Sequence, residues 1–287
     1  MQEDYLTKIR SVYNQFTKAE KKVADYILEN PKKVLFMSIS DLAEACNVGD
    51  TSVFRFCKTM NVKGYQEFKM MLSLSMRQAA PDPTAEQGQS ITLQDNIEDL
   101  VKKVLAENVS AIQETYSLIN LKTVSAAVDA LSEAKRILFF GVGTSMLTAM
   151  KAMNKFLRIE PKVSCIMDAN MQLITASTLN ADDVALIFSY SGSTKDTVEI
   201  AKSAKRAGAK TILITRFQKS PLTEYADIIL LCGANEGTLQ KGSTSAEISQ
   251  LFLVDILYSE YYRRHYQVCK ENWEKTKAAI ADKNYSF

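Results

Sequence analysis

From Lys135 onward the chain alternates short, unbroken apolar runs with helical stretches, and no other feature restricts its fold as tightly. The runs are Arg136–Phe140, Lys162–Met167, Val184–Phe188, Lys210–Thr215 and Ile228–Cys232. Intervening helices are expected to begin near Ser145, Asn170, Thr194 and Pro221, with a last long one from about Ser245. A strand with one wet face alternates polar and apolar residues, whereas a strand that is apolar throughout is covered on both faces. Five such strands joined by helices predict an α/β domain with a doubly wound, five-stranded parallel sheet, flavodoxin-like in class. Ligands of such sheets bind at the carboxyl ends of the strands.

The first part of the chain reads differently. Between Tyr5 and Arg77 the apolar residues follow helical spacing and no strand is evident. Thr17 followed by Glu20 forms a capping-box pattern ahead of a helix that carries Val23, Ile27 and Leu28 on one face and stops before Pro31. Further helices are expected over Ser40–Cys46 with Ser40 as cap, over Thr51–Met60 with Asp50 as cap, and from Tyr65 to about Met76. Residues 78–92 hold two of the five prolines and almost no large apolar residue, which reads as an exposed linker. A long helical stretch, Leu93 to Asn120, and a shorter one to about Leu131 lead into the sheet. The expected division is thus an all-α domain over 1–77, a linker over 78–92 and the α/β domain over 93–287.

Composition narrows the class. The acidic start lacks an apolar signal region, and no apolar run approaches the roughly 20 residues that span a bilayer. The five cysteines are odd in number and hold no CxxC pair, and the chain has one histidine. Neither a metal site nor a disulfide frame is expected, and a cytoplasmic protein is. Residues 1–77 carry 12 Lys and Arg against 9 Asp and Glu, while the remainder carries 23 against 24. The asymmetry is slight, so charge does not by itself point to nucleic acid.

Spacing does. The segment Ile39 to Lys58 fits a helix-turn-helix: Ala43 is small where two helices cross, and Asn47 stands where the turn needs a positive φ. Val53 and Phe56 are expected to face inward, leaving Thr51, Ser52, Phe54, Arg55 and Lys58 outward. Such a helix lays its N-terminal residues in the major groove, where Arg55 can meet a guanine edge or a phosphate and Lys58 a phosphate. A plain helical hairpin with solvated charges has the same spacing.

Two loops follow neighbouring apolar runs. Ser189-Tyr190-Ser191-Gly192-Ser193-Thr194 opens the helix after the third run, and Gly141-Val142-Gly143-Thr144-Ser145 follows the first. Glycines let the backbone approach a ligand, hydroxyls bond phosphate oxygens, and a helix N-terminus favours an anion. Met146 stands where a dinucleotide-binding GxGxxG loop needs glycine. Glu247 could line the pocket or simply be a charge at a helix N-terminus. Met146, Met150, Met153 and Phe156 recur at helical spacing and read as core, and Trp273 with the tail Lys275–Phe287 as either a partner surface or a frayed end.

At this point the chain resembles the RpiR family of bacterial transcriptional regulators. The carrying residues are Thr17, Glu20, Val23-Ala24, Tyr26-Ile27-Leu28, Leu42-Ala43, Val53, Arg55-Phe56, Gly64-Tyr65 and Phe68-Lys69. Asp50 and Asn61 depart from it, where the family usually has Ser and Gly. The second part is similar to a SIS (sugar isomerase) domain through both loops, Gly208-Ala209, Ser220-Pro221-Leu222, Ala226-Asp227 and Gln250-Leu251 with Asp255. The resemblance implies that Ser189, Ser191, Ser193 and Thr194 hold the phosphate of a sugar phosphate and that Gly143, Thr144 and Ser145 line its sugar side. It implies a homodimer or homotetramer on double-stranded operator DNA, without cofactor or membrane. The runner-up is a phosphosugar isomerase with an accessory helical domain, and a third reading is a sensor that docks on another protein. Isomerases of this superfamily need a general base and usually a ring-opening acid, often Glu and His. The single His265, beside Arg263 and Arg264 near the end of the last long helix, is expected to face solvent, so binding without catalysis is favoured.

Overall fold

A computed structural model describes residues 5–35, 37–78, 91–233 and 244–281. Its first part is helical: α1 Tyr5–Ser11, a 3-10 turn Tyr13–Gln15, α2 Lys18–Glu29, α3 Pro31–Val34, α4 Ile39–Ala45, α5 Asp50–Thr59 and α6 Tyr65–Gln78. The Thr17 capping box is present, with Thr17 N donating to Glu20 Oε2 at 2.7 Å and Glu20 N to Thr17 Oγ1 at 3.4 Å. The next two caps differ from expectation. Ser38, not Ser40, caps α4, because Asp41 three residues later completes a second capping box. Asp50 is the first residue of α5 behind Gly49, and its carboxylate instead accepts from Ser40 Oγ at 2.8 Å, tying the two helices together. The helices close over Phe16, Phe56 and Phe68, all buried, with ring centroids 5.1 and 5.3 Å apart in sequence.

The second part begins with α7 Ile97–Leu118 and α8 Leu121–Glu133. Then follow β1 Arg136–Phe140, α9 Thr144–Leu157, β2 Val163–Cys165, α10 Ala169–Ser177, β3 Asp183–Phe188, α11 Lys195–Arg206, β4 Lys210–Thr215 and β5 Ile228–Leu231. Two last helices are α12 Thr244–Arg264 and α13 Tyr266–Ala278. The strand order is β2-β1-β3-β4-β5 with every pairing parallel. All six residues of β3, the central strand, are buried. Residues of α8, α9 and α12 fill one face, and those of α10 and α11 the other. Register at the amino edge is fixed by Arg136 opposite Asp183, whose carboxylate accepts from Arg136 Nε at 3.0 Å and Nη2 at 2.5 Å. That guanidinium holds the Asp183 carboxyl below the usual range.

Three further expectations shift. The long helix starts at Ile97 rather than Leu93, because Asn96 caps it through Asp99 N and Asp95 turns back to Thr92 N. The second strand ends at Cys165, and near Pro221 only a 3-10 turn forms, Thr223–Tyr225. His265 is half-buried rather than turned to solvent: its Nε2 meets Ser132 Oγ at 2.8 Å beside the Tyr261 ring. Trp273 lies under the Arg158 guanidinium, 4.6 Å from the ring centre. Most of the expected linker, 79–90, falls outside the described residues. Burial raises all five thiols, Cys57 to about 12 and Cys46, Cys165 and Cys232 to about 11. Among the described residues no helix is long and apolar enough to cross a membrane.

Candidate functional site

The helix-turn-helix is set by a tight turn after α4. Cys46 and Asn47 close it onto Leu42 and Glu44, and Val48 N returns to Ala43 O at 2.9 Å. Asn47 takes φ 50°, and Asn61, past the end of α5, takes φ 58°. Asn tolerates the left-handed region better than other residues that carry a Cβ. Val53, Phe56 and Cys57 are fully buried, which turns the other face of α5 outward. Thr51, Phe54, Arg55 and Lys58 are exposed and Ser52 is half-buried. Lys58 Nζ donates to Lys63 O at 3.0 Å and lies 5.0 Å above the Phe54 ring, so its charge is held near the helix end. The Arg55 guanidinium has no hydrogen bond or ion pair among the described residues.

The second constellation sits where the sheet changes direction. From β1 the chain goes to α9 on one face, and from β3 to α11 on the other, although the two strands are neighbours. The connections therefore diverge and leave a crevice at the strand ends, the general ligand position of doubly wound sheets. Gly143 takes φ 63° just ahead of α9, and Thr194 precedes α11; neither helix start has a side-chain cap. Their first-turn N–H groups are thus available to an anion.

Each loop is pinned from below. A Cβ on Gly141 would stand 2.5 Å from the Ser145 carbonyl oxygen, and one on Gly192 2.2 Å from Ser220 Oγ. The fully buried Gln172 of α10 grips Gly141 at both ends, accepting from its N–H at 3.2 Å and donating to its carbonyl at 2.9 Å. Leu222 N holds the Gly192 carbonyl at 3.0 Å. Gln172 and Ser220 have no part in the sequence-based site. Ser220 lies in a motif visible in the sequence, but contact with Gly192 is set by the turn after β4. The inward side of a nine-residue helix is the only cue to Gln172.

Of the residues named from the sequence, Ser189 is buried and its N–H donates to Ile214 O at 3.1 Å. Ser191 and Ser145 are half-buried, while Ser193, Thr194, Gly143 and Thr144 are exposed. Ser193 Oγ donates to Ser191 Oγ at 3.1 Å, which gathers two hydroxyls on one side of the loop. Glu247, in the first turn of α12, is ion-paired with Lys151 of α9. Glu247 stands in the first turn of α12 and His265 directly after its last residue, about 27 Å apart along its axis at 1.5 Å per residue. A surface hollow of about 320 Å³ between α10 and α11 is flanked by Glu199, Lys202 and Arg206. It does not include the loops.

Residues 3–79 match the helix-turn-helix domain of the rpiR family, and residues 130–260 match the SIS domain. An uncharacterized HTH-type transcriptional regulator of Caldanaerobacter subterraneus is 36% identical over 278 residues, 97% of each chain. The regulator HexR of Pseudomonas aeruginosa is 32% identical over 252 residues, 88% of this chain and 87% of that one. Among solved structures, Vibrio vulnificus NanR complexed with ManNAc-6P is 26% identical with a TM-score of 0.63, over 98% of this chain and 100% of that one. The sugar isomerase domain of an RpiR transcription factor from Sphaerobacter thermophilus shares the sheet fold at 20% identity and a TM-score of 0.58, over 62% of this chain and 98% of that one. Fold and matches define a transcriptional regulator with a helix-turn-helix and an SIS domain. The chain belongs to the RpiR family.

Proposed function

We propose that this regulator binds a two-fold operator through α5 and that a phosphorylated sugar at the β1–β3 crevice controls the binding. The observation that carries the proposal is the coexistence, in one chain, of an unpartnered Arg55 on an exposed recognition helix and two glycine-hydroxyl loops at the switch point of the sheet. Arg55 reads a base edge or a phosphate, with Thr51, Ser52, Phe54 and Lys58 beside it. Ser189, Ser191, Ser193 and Thr194 take the phosphate, and Gly143, Thr144 and Ser145 line the sugar side. Glu247, ion-paired with Lys151 of α9, is the remaining candidate to line the same pocket. NanR, the neighbour solved with ManNAc-6P, makes an amino-sugar phosphate a fitting first ligand to try.

Two copies are needed to read two half-sites about 34 Å apart. Ile97, Val101, Leu105, Val109, Ile112 and Tyr116 form an exposed apolar stripe along α7, which supports pairing through that helix. Catalysis is disfavoured by the separation of Glu247 and His265, since an acid and a base acting on one sugar must both reach it.

Gel-shift and thermal-shift measurements on two variants test the proposal. Arg55→Ala should lose about 1–3 kcal/mol of specific operator affinity and keep its sugar-phosphate thermal shift. Thr194→Val should lose the thermal shift and keep operator binding. Operator binding that survives Arg55→Ala intact, or conversion of a hexose phosphate by the purified chain, would overturn it.

A further inference from the structure

The helical head does not hang free of the sheet. Arg10 of α1 is ion-paired with Glu114 of α7 at 3.0 Å, and Thr7 and Ser11 of α1 are buried. Gln218 N, in the turn after β4, donates to Ser11 O at 3.0 Å. Thr7, Arg10 and Ser11 face Glu114, Arg216 and Gly233 across a narrow crevice. Two residues before Gln218, the same turn grips the phosphate loop: Arg216 N donates to Tyr190 O at 3.1 Å, and Arg216 Nη1 donates to Tyr190 Oη at 2.9 Å. One short segment, Arg216 to Gln218, thus holds the Ser189–Thr194 loop on one side and the last turn of α1 on the other.

We propose that Arg216–Gln218 is a relay that seats the reading head on the sheet while the phosphate loop is empty and releases it when the loop is filled. A phosphate in the loop offers the Arg216 guanidinium an anionic acceptor that it can meet with two N–H groups, in place of the single neutral Tyr190 hydroxyl. Turning Arg216 toward the phosphate takes the support from under Gln218 and Ser11. The effector therefore binds the unseated state better than the seated one, which is the condition for any ligand to shift such an equilibrium. Only the choice of ligand rests on the phosphosugar reading above; the seat itself does not.

Amide hydrogen exchange of Tyr5–Ser11 in the full chain tests the seat without any ligand. Tyr190→Phe removes one hydrogen bond of the relay, so α1 should exchange about two- to twelvefold faster than in the unaltered chain, the factor one ordinary hydrogen bond corresponds to. The same exchange rate in both chains would overturn the relay. With ManNAc-6P as probe and inorganic phosphate as the simpler anion, α1 exchange in the unaltered chain should rise on binding. Reciprocity adds a readout that simple loss of packing would not give: Arg10→Met, which unseats α1 from the far side, should tighten binding of the same probe about fivefold. Binding that leaves α1 exchange unchanged, or an Arg10→Met affinity that is equal or weaker, would overturn the coupling. If neither probe binds, the phosphosugar reading fails, and the ligand-free comparison still decides the seat.

Discussion

Gly192 carries the tightest constraint in the crevice. Its φ of 62° is unfavourable for any residue with a Cβ, and Ser220 fills the space where that Cβ would go. Gly192→Ala should therefore destabilise the chain by about 2–4 kcal/mol, part from the left-handed backbone and part from the clash. Ser220→Gly in the same chain removes the clash alone, so urea unfolding of the double variant should recover part of the loss and not all of it. Full recovery would mean that the backbone conformation costs nothing there. The residue scale is also where the sequence is least even as a guide. Asn47 was readable, because few residue types accept a positive φ. Glu247 was open between two roles, since nothing in the sequence places Lys151 of another helix beside it. Gln172 was silent for the same reason, and Ser220 was visible only as part of a motif, its contact with Gly192 being set by a backbone far along the chain.

Helices and strands were more legible, because a period of 3.6 or an unbroken apolar run is a local property. The five strands and their alternation with helices follow directly from the apolar runs, and the structure adds their order. Ends were less secure. Ser38 and Ser40 are equally good caps by type, and the choice falls to Ser38 because Asp41 stands at its third position. Accordingly Ser38→Ala should lower stability by about 1 kcal/mol in chemical denaturation, as cap deletions do, and Ser40→Ala by less, since it removes only an exposed bond to Asp50. Equal losses would contradict the assignment of the cap. The missing helix after Pro221 has a comparable cause. Thr223 Oγ1 accepts from Ser220 N at 2.9 Å and the chain must reach β5 within a few residues, which leaves room for one 3-10 turn.

At the scale of the molecule, α7 joins everything. Its second half is fitted against the end of β5, where a Cβ on Gly233 would come within 2.4 Å of Glu114 Cβ and where Thr115 Oγ1 accepts from Gly233 N at 3.0 Å. Its other face presents the apolar stripe from Ile97 to Tyr116 to the outside. If α7 pairs two copies as proposed, the unaltered chain should sediment as a dimer and the chain with Ile97 and Leu105 both replaced by Glu as a monomer, with the sheet domain still folded by circular dichroism. Operator affinity should drop with the pairing, because one head then meets one half-site. A chain that remains paired after both changes would place the contact elsewhere. Finally, the close packing of both parts of the chain hides sulfur at Cys46, Cys57, Cys232 and Cys269 and leaves Cys165 half-buried. With every thiol held well above neutrality, almost none is ionised at physiological pH, and only the ionised form reacts readily with peroxide. Peroxide therefore meets these five sulfurs as thiols rather than thiolates, and slow oxidation of the folded chain is the expected outcome.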